Sequence, residues 1–217
     1  MYIIVTSDTH GELDKFINSY NHIKDNLVNP DMIIHLGDYA RDAQDLTRIL
    51  NTDIISIKGN CDGGYGTHAH MVLPTEGGNL YLSHGHQENV KMTYQSIYYR
   101  AQEQGCCAAL FGHTHRAIFQ EAGSVMLLNP GSISFPSDGS SGTLAILKTT
   151  AEGLDARILH YSEMDSWEAQ LAGFINAGAT TESGEGTDSG NNSDTTQKKA
   201  KVQGGYLRGL LNYSDRF

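Results

Sequence analysis

The sequence predicts an α/β or α+β fold, with layered β-sheets and helices outside them, over residues 1 to about 161. Short apolar runs rich in β-branched residues end in Gly, Asp, His or Asn, which is typical of strands. Amphipathic segments with helical spacing lie between these runs. The 217-residue chain is 39% hydrophobic, which is enough to build the core of one ordinary domain.

Eight runs of the sequence predict strands, and three segments predict helices. The predicted strands cover residues 2–7, 32–36, 54–58, 80–83, 108–111, 125–128, 143–148 and 154–161. Apolar side chains recur at helical spacing over 13–27 and 90–101, and over 43–50 for a shorter helix. The loop 149–153 has the length of a hairpin connection, so we expect mixed sheets.

The composition divides the chain into three parts. Residues 1–176 are expected to form the folded domain. Residues 177–201 are rich in Gly, Ser, Thr, Asn and Asp and lack large apolar residues up to position 200, so we predict a disordered linker. Residues 202–217 contain apolar residues again, among them Leu207, Leu210 and Leu211, which share one helical face. This segment is either a disordered tail or a docking segment that covers the active-site edge or mediates self-association into a homo-oligomer.

The charge of the chain argues against two classes of partner. The formal net charge is −10, and residues 1–176 carry 20 acidic against 10 basic residues. Binding to nucleic acid or to an anionic membrane surface needs basic patches, which so acidic a domain does not supply. We therefore expect a small-molecule substrate, with no nucleic-acid binding and no membrane association.

The cysteine count and the apolar runs indicate a cytoplasmic protein. Cys61, Cys106 and Cys107 are an odd number in a chain of this length, so a disulfide framework is not expected. No apolar run approaches the ~18–20 residues that a membrane span needs, and no basic segment precedes the first strand. The prediction is a protein without signal peptide or transmembrane helix.

Potential metal ligands follow five successive predicted strands, each next to a glycine. Because the carboxyl ends of strands share one edge in layered sheets, these side chains are expected to converge. Five unrelated turns have no reason to carry this set of residues together. The residues are Asp8 and His10 after the first strand, Asp38 after the second, Asn60 after the third, His84 and His86 after the fourth, and His113 and His115 after the fifth.

The number and type of these residues predict two metal ions rather than one. A single zinc site uses three or four ligands, whereas seven or so suit two ions that share a carboxylate. Mixed oxygen and nitrogen donors favour Mn, Fe, Zn, Co or Ni and disfavour calcium. Of these metals, Mn is the one we expect. Two such ions about 3.5–4 Å apart activate water and hold the oxygens of a phosphoryl group.

The order of the motifs resembles the calcineurin-like metallophosphoesterase superfamily, and within it the small bacterial and archaeal phosphodiesterase branch. The motifs are Asp-x-His, Gly-Asp, Gly-Asn-Cys-Asp, His-Gly-His and Gly-His-Thr-His, followed by Asn-Pro-Gly-Ser at 129–132. The resemblance covers about residues 1–161. It implies a four-layer αββα sandwich of two mixed sheets flanked by helices.

The resemblance also implies the ligand assignment and the reaction. A metal-bridging hydroxide would attack phosphorus in a dinuclear metal-dependent phosphoesterase, most similar to phosphodiesterases. One metal would be held by Asp8, His10, Asp38 and His115, and the other by Asp38, Asn60, His84 and His113, with Asp38 bridging.

One position departs from the pattern of many phosphatases and nucleases of the superfamily. Cys61 stands where those proteins have a histidine that donates a proton to the leaving group, and a thiol is a poor acid near neutral pH. Asp62 and His86 are the candidate catalytic residues for that step, although each is also suited to supporting the ligands. Arg116 could pair with a phosphate oxygen or with a carboxylate.

Other residues have simpler interpretations. His35 lies inside a predicted strand and is interpreted as structural, whereas His68 and His70 are candidates for lining a substrate cleft. The 129–132 turn is expected to brace the loop of His113 and His115. Cys106 and Cys107 are expected to have a packing role.

Three alternative functions stay open on the sequence. The first is a phosphomonoesterase that acts on a small substrate. The second is a non-catalytic metal-binding scaffold or interaction module. The third is a phosphatase that uses Asp8 as nucleophile, but that chemistry calls for a second carboxylate at the position that His10 occupies.

Overall fold

The computed structural model of the protein describes residues 1–64 and 68–176. The predicted linker 177–201 and the segment 202–217 lie outside the described residues. Within the described part, the strands are β1 Tyr2–Thr6, β2 Met32–His35, β3 Ile54–Ser56, β4 His70–Thr75, β5 Gly78–Ser83, β6 Ala108–Leu110, β7 Ala117–Ala122, β8 Val125–Pro130, β9 Thr143–Thr150 and β10 Gly153–His160. The α-helices are α1 Asp14–Asn26, α2 Ala40–Leu50, α3 Gln95–Glu103 and α4 Trp167–Asn176, and a 3-10 helix spans Tyr161–Ser166.

The strands form two five-stranded sheets, and both are mixed. Sheet one has the order β10-β9-β1-β2-β3, and sheet two has the order β4-β5-β6-β8-β7. In sheet one β1, β2 and β3 are parallel, and β9 and β10 form the antiparallel hairpin that the 149–153 loop predicted. In sheet two β5, β6 and β8 are parallel, and the edge strands β4 and β7 are antiparallel to their neighbours.

Helices cover the outer face of each sheet. Ile4 and Ile33 of sheet one pack in a cluster with Phe16 of α1 and Trp167 of α4. On sheet two, Tyr81 and Ala109 pack in a second cluster with residues of α3. Alternate residues of the same strands, such as Ile3, Ile34, Leu80 and Leu82, are also fully buried, so they face the space between the two sheets. This arrangement is the four-layer αββα sandwich that the resemblance implied.

Three elements, β4, β7 and α4, were not predicted from the sequence. β4 contains Pro74 and β7 exposes three consecutive residues, so neither edge strand has the apolar character of a central strand. For α4, a signal was present in the sequence: Trp167, Leu171 and Phe174 recur at helical spacing, and all three are buried against sheet one. Among the described residues, no helix combines the length and the apolar character needed to cross a bilayer.

Candidate metal centre

The candidate ligands follow parallel strands of both sheets and meet at one edge of the sandwich. Residues after β1, β2 and β3 contribute Asp8, His10, Asp38 and Asn60 from sheet one. Residues after β5 and β6 contribute His84, His113 and His115 from sheet two. The centre therefore lies at the junction of the two sheets.

An unusual backbone conformation accompanies these residues. In the described part of the chain, six of the eight non-glycine residues with positive φ lie at the centre or directly beside it. L-amino acids rarely adopt this left-handed conformation, because the Cβ then approaches the backbone closely. Such residues cluster at functional sites, where the surrounding structure holds them in place. They are Asp8, His10, Asp38, Tyr39, His113 and His115.

The ligand atoms form two clusters that share Asp38. Donor atoms of Asp8, His10, Asp38 and His115 all lie within 4.8 Å of one another, and so do those of Asp38, His84 and His113. His10 Nε2 is 3.2 Å from His115 Nε2, which in turn is 3.3 Å from Asp8 Oδ1.

Asn60 adjoins the second cluster. Its Oδ1 lies 3.1 Å from His84 Nε2, and this nitrogen is 3.4 Å from Asp38 Oδ1. All seven side chains that the sequence singled out as ligands are thus brought together in two adjoining groups.

Two backbone carbonyls fix the orientation of the histidine rings. His84 Nδ1 lies 2.8 Å from the Leu36 carbonyl, and His115 Nδ1 lies 2.7 Å from the Phe135 carbonyl. A carbonyl only accepts hydrogen bonds, so in each neutral ring the proton is on Nδ1. The unprotonated Nε2 of each ring then points at the carboxylates, which is the arrangement of metal-binding histidines.

A buried oxygen without a partner indicates what the centre can bind. Asp8 is fully buried, and within the described residues its Oδ1 has no hydrogen-bond partner, although His84 Nε2 and His115 Nε2 lie 4.0 Å and 3.3 Å away. Unprotonated ring nitrogens facing carboxylate oxygens repel each other unless a proton or a metal cation lies between them, and only a metal cation can be shared by several of these nitrogens and oxygens at once. The residues therefore fit divalent cations.

Burial and neighbouring charges shift the pKa values of three candidate ligands, Asp38, His84 and His113. Burial alone would raise the pKa of Asp38, but the hydrogen bond and charge of His84 hold it below its usual value. Conversely, burial opposes protonation of His84, yet Asp38 and Asp8 raise its pKa. Burial, together with the charges of His84 and Lys91, lowers the pKa of His113 to about 4. Lys91, which the sequence analysis did not consider, is thus close enough to act on the centre.

Asp62 binds two backbone amides rather than facing the open side of the centre. It is buried, and its Oδ1 and Oδ2 accept the N–H groups of Ala40 and Gly59 at 2.5 and 2.6 Å. These two amides flank Asp38 and Asn60 in the chain. The geometry is that of a positioning residue, and a carboxylate occupied in this way is poorly placed to reach a leaving group.

His86, the other candidate catalytic residue, lies beside the second cluster. Its ring centroid is 5.4 Å from that of His84 and 6.2 Å from that of His113. Burial, helped by the charge of His84, lowers the pKa of His86, and its buried Nδ1 has no partner among the described residues. A neutral imidazole here can hydrogen-bond a phosphate oxygen or a leaving group.

A buried carboxylate that the sequence analysis missed anchors the His84–His86 loop. Glu88 Oε2 accepts the Ser83 hydroxyl at 2.9 Å and Oε1 accepts the Tyr81 hydroxyl at 3.1 Å, and Arg100 Nη1 is 3.4 Å from Oε1. Burial and the Glu88 charge raise the pKa of Tyr81 to about 12, so its hydroxyl stays protonated. Ser83 in turn accepts the Gly85 N–H at 3.2 Å, which connects the network to the loop.

We expect Glu88→Ala to lower the free energy of unfolding by about 1–3 kcal/mol, because the substitution leaves two buried hydroxyl groups without an acceptor. Glu103→Ala, at an exposed position of α3, is the matched control. Urea denaturation of both variants measures the effect. Equal stability of the two variants would contradict the structural role of Glu88.

A second network braces the loops of sheet one. Gly37 N–H donates to His35 Nδ1 at 3.2 Å, so the neutral ring carries its proton on Nε2, which lies 3.0 Å from Thr9 Oγ1. Thr9 donates to Asp42 at 2.6 Å, and Asp42 also accepts the Gly11 N–H. Burial lowers the pKa of His35, which keeps the ring neutral. His35 is structural, as the sequence predicted.

The turn at 129–132 braces the second-sheet loops, also as predicted. Asn129 Nδ2 donates to the Gly112 carbonyl at 2.7 Å and to Thr114 Oγ1 at 3.0 Å. Ser132 donates its hydroxyl to the Asp8 carbonyl at 2.7 Å, which joins this turn to sheet one.

Four further residues that the sequence singled out are Cys61, Arg116, His68 and His70. Cys61 is exposed beside the centre, and desolvation together with Asp38 raises the pKa of the thiol to about 11. Arg116 is exposed next to His115 in the chain. His68 pairs with Ile57 through a β-bridge, whereas His70 pairs with Ser83, stacks on Tyr81 and lines a small cavity with residues of α3. That these two histidines line a substrate cleft stays a prediction.

The geometry agrees with comparisons to known proteins. Residues 1–152 match the family model described as the calcineurin-like phosphoesterase superfamily domain. A "Probable metallophosphoesterase" of Bacillus subtilis is 29% identical over 163 residues, which are 75% of this chain and 92% of the relative. A phosphodiesterase of Methanocaldococcus jannaschii is 26% identical over 60% of this chain and 83% of its own length. The crystal structure of a predicted phosphoesterase from Streptococcus pneumoniae superimposes with a TM-score of 0.61 at 29% identity, covering 74% of this chain and 90% of that one.

Proposed function

Because the chain belongs to the calcineurin-like phosphoesterase superfamily, we propose that it is a dinuclear metal-dependent phosphoesterase that hydrolyses phosphodiesters. The observation that carries the proposal is the pair of ligand clusters that share Asp38. A carboxylate common to two clusters is the arrangement that a pair of cations requires.

The assignment of ligands follows the two clusters. Asp8, His10, Asp38 and His115 would hold one cation, and Asp38 with Asn60, His84 and His113 would hold the other. Divalent transition-metal ions suit these mixed oxygen and nitrogen donors, and Mn²⁺ is the ion that we propose. When bound, such ions lower the pKa of water and polarise phosphoryl oxygens.

The protein's own side chains orient the substrate. His86 lies beside the second cluster, and its neutral ring would hydrogen-bond the phosphate or the leaving group. Arg116, which follows His115 in the chain, and Lys91, whose charge acts on His113, would attract the phosphate. Asp62 and Glu88 act through the loops that they hold, so we propose positioning roles for both.

The structure argues against Asp8 as a nucleophile. Its side chain is fully buried, and Oδ2 accepts the His113 N–H at 3.0 Å. A phosphorus atom would have to enter the packed interior to reach it. A nucleophilic aspartate also needs a second carboxylate two positions further along the chain, and His10 stands there instead. Both observations favour the metal-dependent reaction.

The charge of the domain favours diesters over monoesters as substrates. A diester carries one negative charge fewer, and the domain supplies 20 acidic residues against 10 basic ones. The names of the curated relatives, which include a phosphodiesterase, support the same choice.

We expect metal-stripped protein to be inactive and added Mn²⁺ to restore hydrolysis of bis(p-nitrophenyl) phosphate. The monoester p-nitrophenyl phosphate should react at least about tenfold more slowly, because of its additional charge in an acidic domain. Release of p-nitrophenolate measures both reactions. Metal-independent turnover would contradict the dinuclear mechanism, and preference for the monoester would make the protein a phosphatase.

A further inference from the structure

Two half-exposed aromatic side chains flank His10 at the rim of the centre. Tyr39 is 43% exposed and Phe135 is 49% exposed. Their ring centroids lie 5.0 and 5.7 Å from that of His10, and both rings meet it edge-on. Large apolar side chains that contribute little to the core and converge on one candidate ligand indicate a surface that packs against a planar group.

Backbone contacts fix both aromatic residues in place. Tyr39 has the left-handed conformation, with φ 72°, and its carbonyl accepts the Asp42 N–H at 2.8 Å. Phe135 donates its N–H to Ser132 at 2.8 Å, and its carbonyl accepts the hydrogen bond of His115 Nδ1. A ligand that packs against these residues would meet a preorganised surface and so lose little conformational entropy of the protein.

A cavity adjoins Phe135 and has a defined chemical character. It measures about 250 Å³ and is lined by Glu12, Asp14, Lys15, Ser134 and Phe135. The Lys15 ammonium is engaged elsewhere, because it donates to the Ser141 carbonyl at 2.8 Å and lies over the Tyr161 ring. Its positive charge persists beside the two carboxylates, so the lining is acidic on balance through Glu12 and Asp14. They accept hydrogen bonds from neutral groups and repel anions.

We propose that Tyr39, Phe135 and this cavity bind one ester group of the substrate, and that this group is a nucleoside. The inference rests on the proposed function, which places the phosphodiester at the ligand clusters next to His10. A base is planar and would pack on the aromatic rings, and sugar hydroxyl or base amino groups would donate to Glu12 and Asp14. A further phosphate on the nucleoside would meet these carboxylates, so the substrate is a mononucleoside diester and not a polynucleotide.

The test compares two diesters that share a leaving group. Thymidine 5′-(p-nitrophenyl phosphate) and methyl p-nitrophenyl phosphate differ only in the retained ester group. We expect the Mn²⁺-loaded wild-type protein to prefer the thymidine ester in kcat/KM by at least about tenfold, the contribution of one or two stacked rings. A thymidine ester with an additional 3′-phosphate should lose that preference.

Variants test whether Tyr39 and Phe135, the two aromatic residues at the rim of the centre, cause the preference for the thymidine ester. Tyr39→Leu/Phe135→Leu should reduce the ratio of the two kcat/KM values about fivefold or more, whereas Tyr39→Phe, which keeps the ring, should preserve it. Tyr99→Leu/Phe119→Leu removes two exposed aromatic rings that lie on α3 and on the edge strand β7, outside the loops that carry the ligands, and should leave the ratio unchanged. Calorimetric binding of thymidine 5′-methylphosphonate, which carries no nitrophenyl group to release, provides a readout that does not depend on turnover.

The outcomes separate the two proposals. Turnover of both diesters at equal kcat/KM, or an unchanged ratio in the rim variant, would overturn the nucleoside inference alone. Failure to hydrolyse either diester in the presence of Mn²⁺ would overturn the proposed function and the inference with it. Circular dichroism of each variant checks that the domain is folded.

Discussion

We expect Asp38→Asn to lower kcat/KM for an activated phosphodiester by about a thousandfold or more, the size of the contribution that bound metal makes to such reactions. Asp38 belongs to both ligand clusters, so the neutral amide weakens both at once. Its hydrogen-bond acceptor role toward the Cys61 N–H at 2.8 Å survives in the amide, so the loop should keep its conformation. Initial rates measured with the metal-loaded protein test this expectation.

The control for Asp38→Asn is Asp25→Asn on the exposed face of α1, which removes the same charge from a helix surface outside the ligand loops. Metal content after dialysis, measured by elemental analysis, should fall in the Asp38 variant and stay unchanged in the control. An Asp38→Asn protein as active as the wild type would refute the dinuclear mechanism. It would leave a scaffold or binding role as the better explanation of the fold.

Gly59→Ala is expected to damage the centre without touching a ligand side chain. An added Cβ at this position would overlap the carboxylate and the backbone nitrogen of Asp38, so one of the two loops must move. Overpacking of this kind costs about 1–3 kcal/mol of stability. A displacement of about 1 Å at reacting groups can lower the rate about a hundredfold. Urea denaturation and diester kinetics measure the two effects.

Gly64→Ala is a matched control for Gly59→Ala. It lies five positions further along the same loop, and an added Cβ there would meet no atom of the described residues within 4 Å. We expect it to retain wild-type activity and stability. If both alanine variants behaved like the wild type, the close approach of Gly59 to Asp38 would not be required for the centre.

The central strands could be predicted because their apolar runs are buried on both faces. β1, β2 and β6 have apolar sequences and end beside the ligands, so the strand pattern also located the ligands. The edge strands could not be predicted in this way, because β4 and β7 are partly exposed and Pro74 weakens the strand signal of β4. Strand pairing and the packing of the two sheets came from the structure.

The sequence identified the candidate ligands but not the residues that hold them. Glu88 stands in a polar loop, where an acidic residue is normally solvated, and only the fold shows it buried against Tyr81 and Ser83. The carbonyl of Phe135 that orients His115 is equally invisible, because a backbone contact between distant loops leaves no residue pattern. Asp62 was predicted as a proton donor to the leaving group or as support for the ligands, and its two amide partners could be identified only from coordinates.

The division of the ligands between the two sheets links the centre to the order of folding. Sheet one pairs β1 with β9, which joins Tyr2 to Lys148, so it cannot be completed until most of the domain has been synthesised. Its ligands can meet those of sheet two only after both sheets have docked, and His10 and His115 are 105 positions apart. A cation bound there would close a long loop late in folding and act like a cross-link between the two halves of the sandwich. Ion binding and the lifetime of the native state would thereby be coupled through the same few side chains.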